Sequence, residues 1–156
     1  MKAVIIMGSK SDLDWAKKIV DALKVFGIET IIRVASAHKT PLKVLEIIQE
    51  YEKEDVVFVT VAGRSNALSG FVDANTSRPV IACPPYSDKF AGMDILSTLR
   101  MPSGVSPMMV LEPEQAGLAV AKIFALRDKE LEEKVRLYQE KKRMEIEEDD
   151  RSILNF

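Results

Sequence analysis

A single histidine, His38, stands in the run Ser36-Ala37-His38-Lys39-Thr40-Pro41. An unperturbed imidazole titrates near ~6.5, so it both gives and takes a proton at neutral pH. His38 is therefore the leading candidate for any acid–base step near neutrality. A second polar segment, Gly8-Ser9-Lys10-Ser11-Asp12, offers backbone N–H groups and hydroxyls of the kind that hold a phosphate at a helix N-terminus. Asp12 can accept from ribose hydroxyls, and Lys39 can meet a phosphate as a point charge. Gly63-Arg64-Ser65-Asn66 adds a cation in a glycine-flanked loop, and Cys83-Pro84-Pro85 forms a further distinctive loop. Plainer readings stand beside each of these. Gly8–Asp12 also suits a tight turn with a cap, Lys39 a solvated loop lysine, and Ser65 or Asn66 the start of a helix. Cys83 reads as an inert buried thiol, because no second histidine exists to activate it. Pro84-Pro85 ends a strand or walls an apolar pocket.

These segments need elements to position them, and the apolar pattern supplies a repeating order of strand and helix. Ala3–Met7 is a continuous apolar run, as expected of a strand covered on both faces. Leu13, Ala16, Ile19, Val20, Leu23 and Phe26 then recur at helical spacing. Ser11 is expected as the N-cap, with Asp14 completing a capping-box-like pair, and Gly27 as the stop. A second strand runs to about Val34. Thr40 as N-cap and Pro41 at the first helical position open a helix toward Tyr51. Val56–Val61 is the third strand and is followed by a short helix. Pro79–Cys83 is the fourth, Met93–Arg100 a helix broken by Pro102, and Met108–Leu111 the fifth strand. Glu112–Arg127 reads as a helix with acidic residues in its first turn, and Asp128–Glu148 as a long charged helix. The last residues are expected to be loosely held. Five strands alternating with helices predict a three-layer α/β sandwich with a central parallel sheet. In such a sheet all strand-to-helix loops leave one edge, where ligands bind, and the polar segments fall in those loops.

The 156 residues fit one domain spanning 1–156. A net charge of −2 gives no electrostatic reason to expect nucleic acid, and Ala3–Met7 is too short for a signal peptide or membrane span. One cysteine agrees with a reducing, cytoplasmic setting. One histidine and one cysteine do not make a zinc site, and no metal or cofactor is expected. The Walker, Gly-x-Ser-x-Gly and Gly-x-Gly-x-x-Gly patterns are absent.

Taken in order, Met7-Gly8-Ser9-x-Ser11-Asp12, Ser36-Ala37-His38-Lys39, Ala62-Gly63-Arg64-Ser65-Asn66-Ala67-Leu68 and Leu99-Arg100-Met101-Pro102-Ser103-Gly104 resemble the PurE family of purine biosynthesis. The family has two branches. Its mutases move a carboxylate within N-carboxyaminoimidazole ribonucleotide; its class II members add free carbon dioxide to aminoimidazole ribonucleotide. Mutases carry Ser-Ala-His-Arg and a loop Ala-Gly-Gly-Ala-Ala-His, where this chain has Lys39 and Ala62-Gly63-Arg64-Ser65-Asn66. Both departures resemble the carboxylase branch, as does Cys83-Pro84-Pro85.

The resemblance implies a flavodoxin-like fold with a long C-terminal helix and a metal-free, cofactor-free reaction. It implies His38 as general acid/base, phosphate and ribose contacts from Ser9, Ser11, Asp12, Ser36 and Lys39, and substrate contacts from Gly8 and Ala37. Carbon dioxide is expected near His38, Gly63, Arg64 and Ser65, with Asn66 beside them. It further implies a homo-octamer in which helix 128–148 reaches over a neighbouring subunit. The mutase reaction is the nearest alternative, and a non-catalytic nucleotide-binding module a more distant one.

Overall fold

The computed structural model describes residues 1–154. Asn155 and Phe156, part of the stretch expected to be loosely held, lie outside the described residues. The elements are β1 (Lys2–Met7), α1 (Leu13–Lys24), β2 (Glu29–Val34), α2 (Pro41–Tyr51), β3 (Val56–Val61), α3 (Ala67–Asp73), β4 (Val80–Ala82), α4 (Leu96–Leu99), β5 (Met108–Met109), α5 (Pro113–Ala125) and α6 (Lys129–Ile153). The five strands form one parallel sheet in the order β2-β1-β3-β4-β5. This is the flavodoxin-like order, whose switch point lies between β1 and β3.

Alternation along the strands divides the core. Ala3, Ile5 and Met7 of β1, with Val57, Val59 and Val61 of β3, face a layer of α1, α5 and the start of α6, where Ile19, Leu23, Val120 and Phe124 are buried. Val4, Ile6, Val56 and Phe58 face the opposite layer, against Val44, Ile47 and Ile48 of α2 and Leu68 and Val72 of α3. Helices on both faces explain why β1 and β3 read as nearly continuous apolar runs, interrupted by Lys2 in one and Thr60 in the other. Each fully buried Leu, Ile, Val or Phe contributes about 1.5–3 kcal/mol of transfer free energy. The edge strand β2 is half-exposed, and Arg33 there pairs with Glu50 at 2.6 Å and donates to the Tyr51 hydroxyl at 3.1 Å. A charge on an edge discourages further strand pairing.

Several local expectations are corrected. Lys10–Asp12 forms a 3-10 turn capped by Ser9, and α1 begins with Asp12 at its N-cap, without a side-chain cap bond. Ser11 is thus inside the turn and not the cap. Thr40 stands at the N-cap of α2 as expected, but without a side-chain cap bond: its Oγ1 accepts from the Ser36 N–H at 2.9 Å. The segment expected as one helix from Met93 to Arg100 is a 3-10 stretch, Lys89–Ile95, broken by left-handed Phe90, Ala91 and Gly92 (φ 51°, 53° and 75°), then the four-residue α4. β5 is two residues long, and α6 runs on to Ile153.

Candidate active site

Strand register brings the loops together. Met7 of β1 is level with Val34 of β2 and Val61 of β3, so the three strands end side by side. The sheet ladder continues one residue further: the Gly8 N–H donates to the Val61 carbonyl and the Ala35 N–H to the Met7 carbonyl, both at 2.9 Å. A Cβ on Gly8 would lie 3.4 Å from the Ala62 Cβ, in van der Waals contact with the neighbouring loop.

A cleft of about 490 Å³ opens where these loops meet, within the usual range for a small-molecule site. Gly8, Ser9, Ser11 and Asp12 line it from β1; Ser36, Ala37, His38 and Lys39 from β2; Gly63, Arg64 and Ser65 from β3. Every sequence-predicted site residue except Asn66 borders this one cavity. Ala62, Ala67 and Leu68 supply an apolar part of its wall that residue chemistry alone did not single out.

Each loop is held by its own hydrogen bonds. Ser9 Oγ accepts from the Ser11 N–H at 3.2 Å and the Ser11 hydroxyl at 2.9 Å. Ser36 Oγ accepts from the Lys39 N–H at 3.3 Å, and the Thr40 N–H closes the turn onto the Ser36 carbonyl at 2.8 Å. That turn leaves His38 and Lys39 exposed at its apex. Partial burial pushes the Asp12 carboxyl above its ordinary range, against the opposing pull of hydrogen bonds from Ser11 and the Ser9 backbone. Arg64 sits at φ 56°, in a region that residues with a Cβ occupy uncommonly. Such strained positions persist where their surroundings over-determine them, often at functional sites.

Asn66 has a different task. It is buried and caps α3, its Oδ1 accepting from the Ser69 N–H at 3.3 Å while its Nδ2 donates to Thr98 Oγ1 at 2.9 Å. It borders a smaller neighbouring cavity of about 220 Å³, which Ala62, Gly63 and Arg64 share with the main cleft and which Pro84 and Pro85 help to wall. The pocket-wall reading of the two prolines thus holds. Cys83 is fully buried, and burial pushes its thiol up to about 11, which removes it from nucleophilic chemistry near neutrality. Among the described residues no group of three His, Cys, Asp or Glu side chains is placed to hold a metal ion, and no helix is long and apolar enough to cross a membrane.

Comparison with known proteins identifies relatives of this chain. The family model AIR carboxylase matches residues 2–145. The chain is 72% identical over 153 residues to a phosphoribosylaminoimidazole carboxylase of Archaeoglobus fulgidus, covering 98% of this chain and 85% of that one. It is 53% identical over 152 residues to a phosphoribosylaminoimidazole carboxylase of Treponema denticola, covering 96% of each. The crystal structure of Treponema denticola PurE superposes with a TM-score of 0.95 at 53% identity over 97% of both chains. A match running almost the length of the chain, on the same fold, establishes that this protein belongs to the AIR carboxylase family.

Proposed function

We propose that the protein is a class II enzyme, carboxylating aminoimidazole ribonucleotide reversibly with free carbon dioxide in purine biosynthesis. The observation that carries this reading is the meeting of His38 with the serine-rich turn of β1 in one cleft. The relatives named phosphoribosylaminoimidazole carboxylase support the activity. Lys39 and the histidine-free loop Ala62–Asn66 support the carboxylase branch over the mutase.

The chemistry follows from the substrate ring. Its carbon beta to the amine is enamine-like and attacks the carbon of carbon dioxide; the new carbon–carbon bond forms as one C=O pair moves onto oxygen. The ring carbon then carries both a carboxylate and a hydrogen. His38 removes that hydrogen as a proton, the C–H electrons restore the aromatic ring, and in decarboxylation His38 returns it. A positioned base of this kind contributes roughly 10²–10⁴-fold. Holding the ring beside a trapped gas molecule supplies effective concentration. Ser9, Ser11, Asp12, Ser36 and Lys39, with the Gly8 and Ala37 backbone, hold the phosphate and ribose. Arg64, the cation shared by the main cleft and the smaller cavity, orients the nascent carboxylate, with Gly63 and Ser65 beside it.

The enzyme acts in the cytoplasm as a homo-oligomer, an octamer by family analogy. Exposed Phe90, Met93, Leu96 and Leu99 near the site, and Met144 and Ile146 on α6, are apolar surface of the kind subunits cover. A monomer mass in solution would contradict the assembly. The activity is tested by ultraviolet assay with product identification, supplying either aminoimidazole ribonucleotide plus bicarbonate or the N-carboxy isomer. Turnover of the first is expected; turnover of the second alone would assign the mutase reaction.

A further inference from the structure

We infer that Ser97 and Thr98 are positioning residues, which hold Arg64 in its left-handed conformation and so aim its guanidinium at the cleft. This rests on the role proposed above for Arg64. The two hydroxyls lie on α4, a different part of the chain from the cleft loops, yet each is bonded to the loop that carries Arg64. Ser97 Oγ accepts from the Asn66 N–H at 2.9 Å. Its own hydrogen faces two carbonyls, Asp94 O at 2.7 Å and Arg64 O at 3.1 Å. The Asp94 contact is an ordinary back-bond within the helical turn; the other two tie α4 to Arg64 and Asn66, the residues on either side of Ser65. Thr98 is buried and takes the Asn66 side-chain amide at 2.9 Å, while the other end of that amide caps α3.

Arg64 needs such a clamp. At φ 56° its backbone is strained, and among the described residues its guanidinium has no hydrogen-bond or ion-pair partner of its own. No contact of the side chain therefore holds it in place, and the backbone conformation sets where it leaves the loop. If the Asn66 N–H loses its acceptor, the loop can relax toward an unstrained conformation and carry the guanidinium away from the carboxylate. The segment bearing the clamp also contains the left-handed run Phe90–Gly92, so α4 is itself held by tertiary contact rather than by helix length. It has four residues, too few to persist alone.

The test is a double-mutant cycle on the full-length enzyme, with kcat and KM measured separately for carbon dioxide and for the nucleotide. Ser97→Ala is expected to lower kcat/KM for carbon dioxide about tenfold to a hundredfold, the range for leaving a partly buried donor unpaired, with the nucleotide KM within about twofold. Ser97→Thr, which keeps the hydroxyl, is expected to restore most of the loss. On an Arg64→Ala background Ser97→Ala should cost less than about twofold, because the group it positions is gone. Thr98→Val, nearly isosteric, makes the same test should Ser97→Ala fail to fold. Parental kinetics in Ser97→Ala beside an impaired Arg64→Ala would overturn this inference alone, as would a Ser97→Ala penalty undiminished without Arg64. Parental kinetics in Arg64→Ala would overturn the role of Arg64 and this inference with it.

Discussion

Gly117 of α5 lies against Ala22 of α1 so closely that a Cβ on the glycine would stand 2.6 Å from the alanine Cβ and 3.1 Å from its backbone carbon. Two helices therefore meet almost backbone to backbone on the face of the sheet opposite α2 and α3, and α1 is the helix that follows the serine-rich turn of β1. Gly117→Val is expected to cost about 2–3 kcal/mol, the upper part of the range for overpacking a tight contact. Thermal unfolding checks this: Tm should fall by roughly 4–12 °C. An unchanged Tm would mean that the helices part without penalty.

His38→Asn keeps a polar side chain of similar size at an exposed position and removes the titrating group. Turnover is expected to fall roughly 10²–10⁴-fold, while nucleotide binding by calorimetry and Tm stay close to parental. Near-normal turnover would end the role assigned to the imidazole.

The binding role proposed for Asp12 carries a cost in stability. Its carboxyl is pushed above the unfolded value by partial burial, so the folded state holds the proton to higher pH than the unfolded chain. Stability must then fall as pH rises from the unfolded pKa through the folded one, and the deficit persists at neutrality. Asp12→Asn removes the deficit. At pH 7 the variant is expected to melt no lower than the parent, and to lose that relative advantage at pH 3. Its nucleotide affinity should drop. A variant less stable than the parent at pH 7 would contradict the sign.

For Cys83 the sign is the same. A thiol raised to about 11 in the fold and nearer 9 when unfolded keeps its proton longer in the native state, so its contribution is lost as pH rises from 9 through 11. Below pH 8 the buried thiol should react with a thiol-specific chromogen only at the rate of unfolding. Fast stoichiometric labelling of the native enzyme would show an open path to the sulfur.

Much of this arrangement could be read from residue order. Val56–Val61 and Ala3–Met7 declare buried strands because both of their faces are apolar, and Thr40-Pro41 marks the start of α2. Once the strands are parallel, their loops must share an edge, which is why eleven of the twelve expected site residues border one cleft. What stayed hidden depends on tertiary contact. Phe90 and Ala91 carry a Cβ, so nothing in their type announces a left-handed backbone. Asn66 sits in a polar loop motif yet turns inward to α4, because Thr98, more than thirty residues on, offers an acceptor no local pattern contains. Ser11 and Asp12 are both good caps, and only the 3-10 turn decides between them.

The 25-residue α6 is buried only at Leu131 and Val135, with Tyr138 edge-on to Phe26 at 5.3 Å. Past that point it is held mainly by its own backbone bonds and by exposed ion pairs such as Arg136–Glu140 and Lys142–Glu145, each worth a few tenths of a kcal/mol. In an isolated subunit its amides should therefore exchange with solvent deuterium along a gradient, slowest near Leu131 and fastest toward Ile153. Any protection of the outer turns in the native enzyme would measure how firmly something other than this subunit's own core grips them.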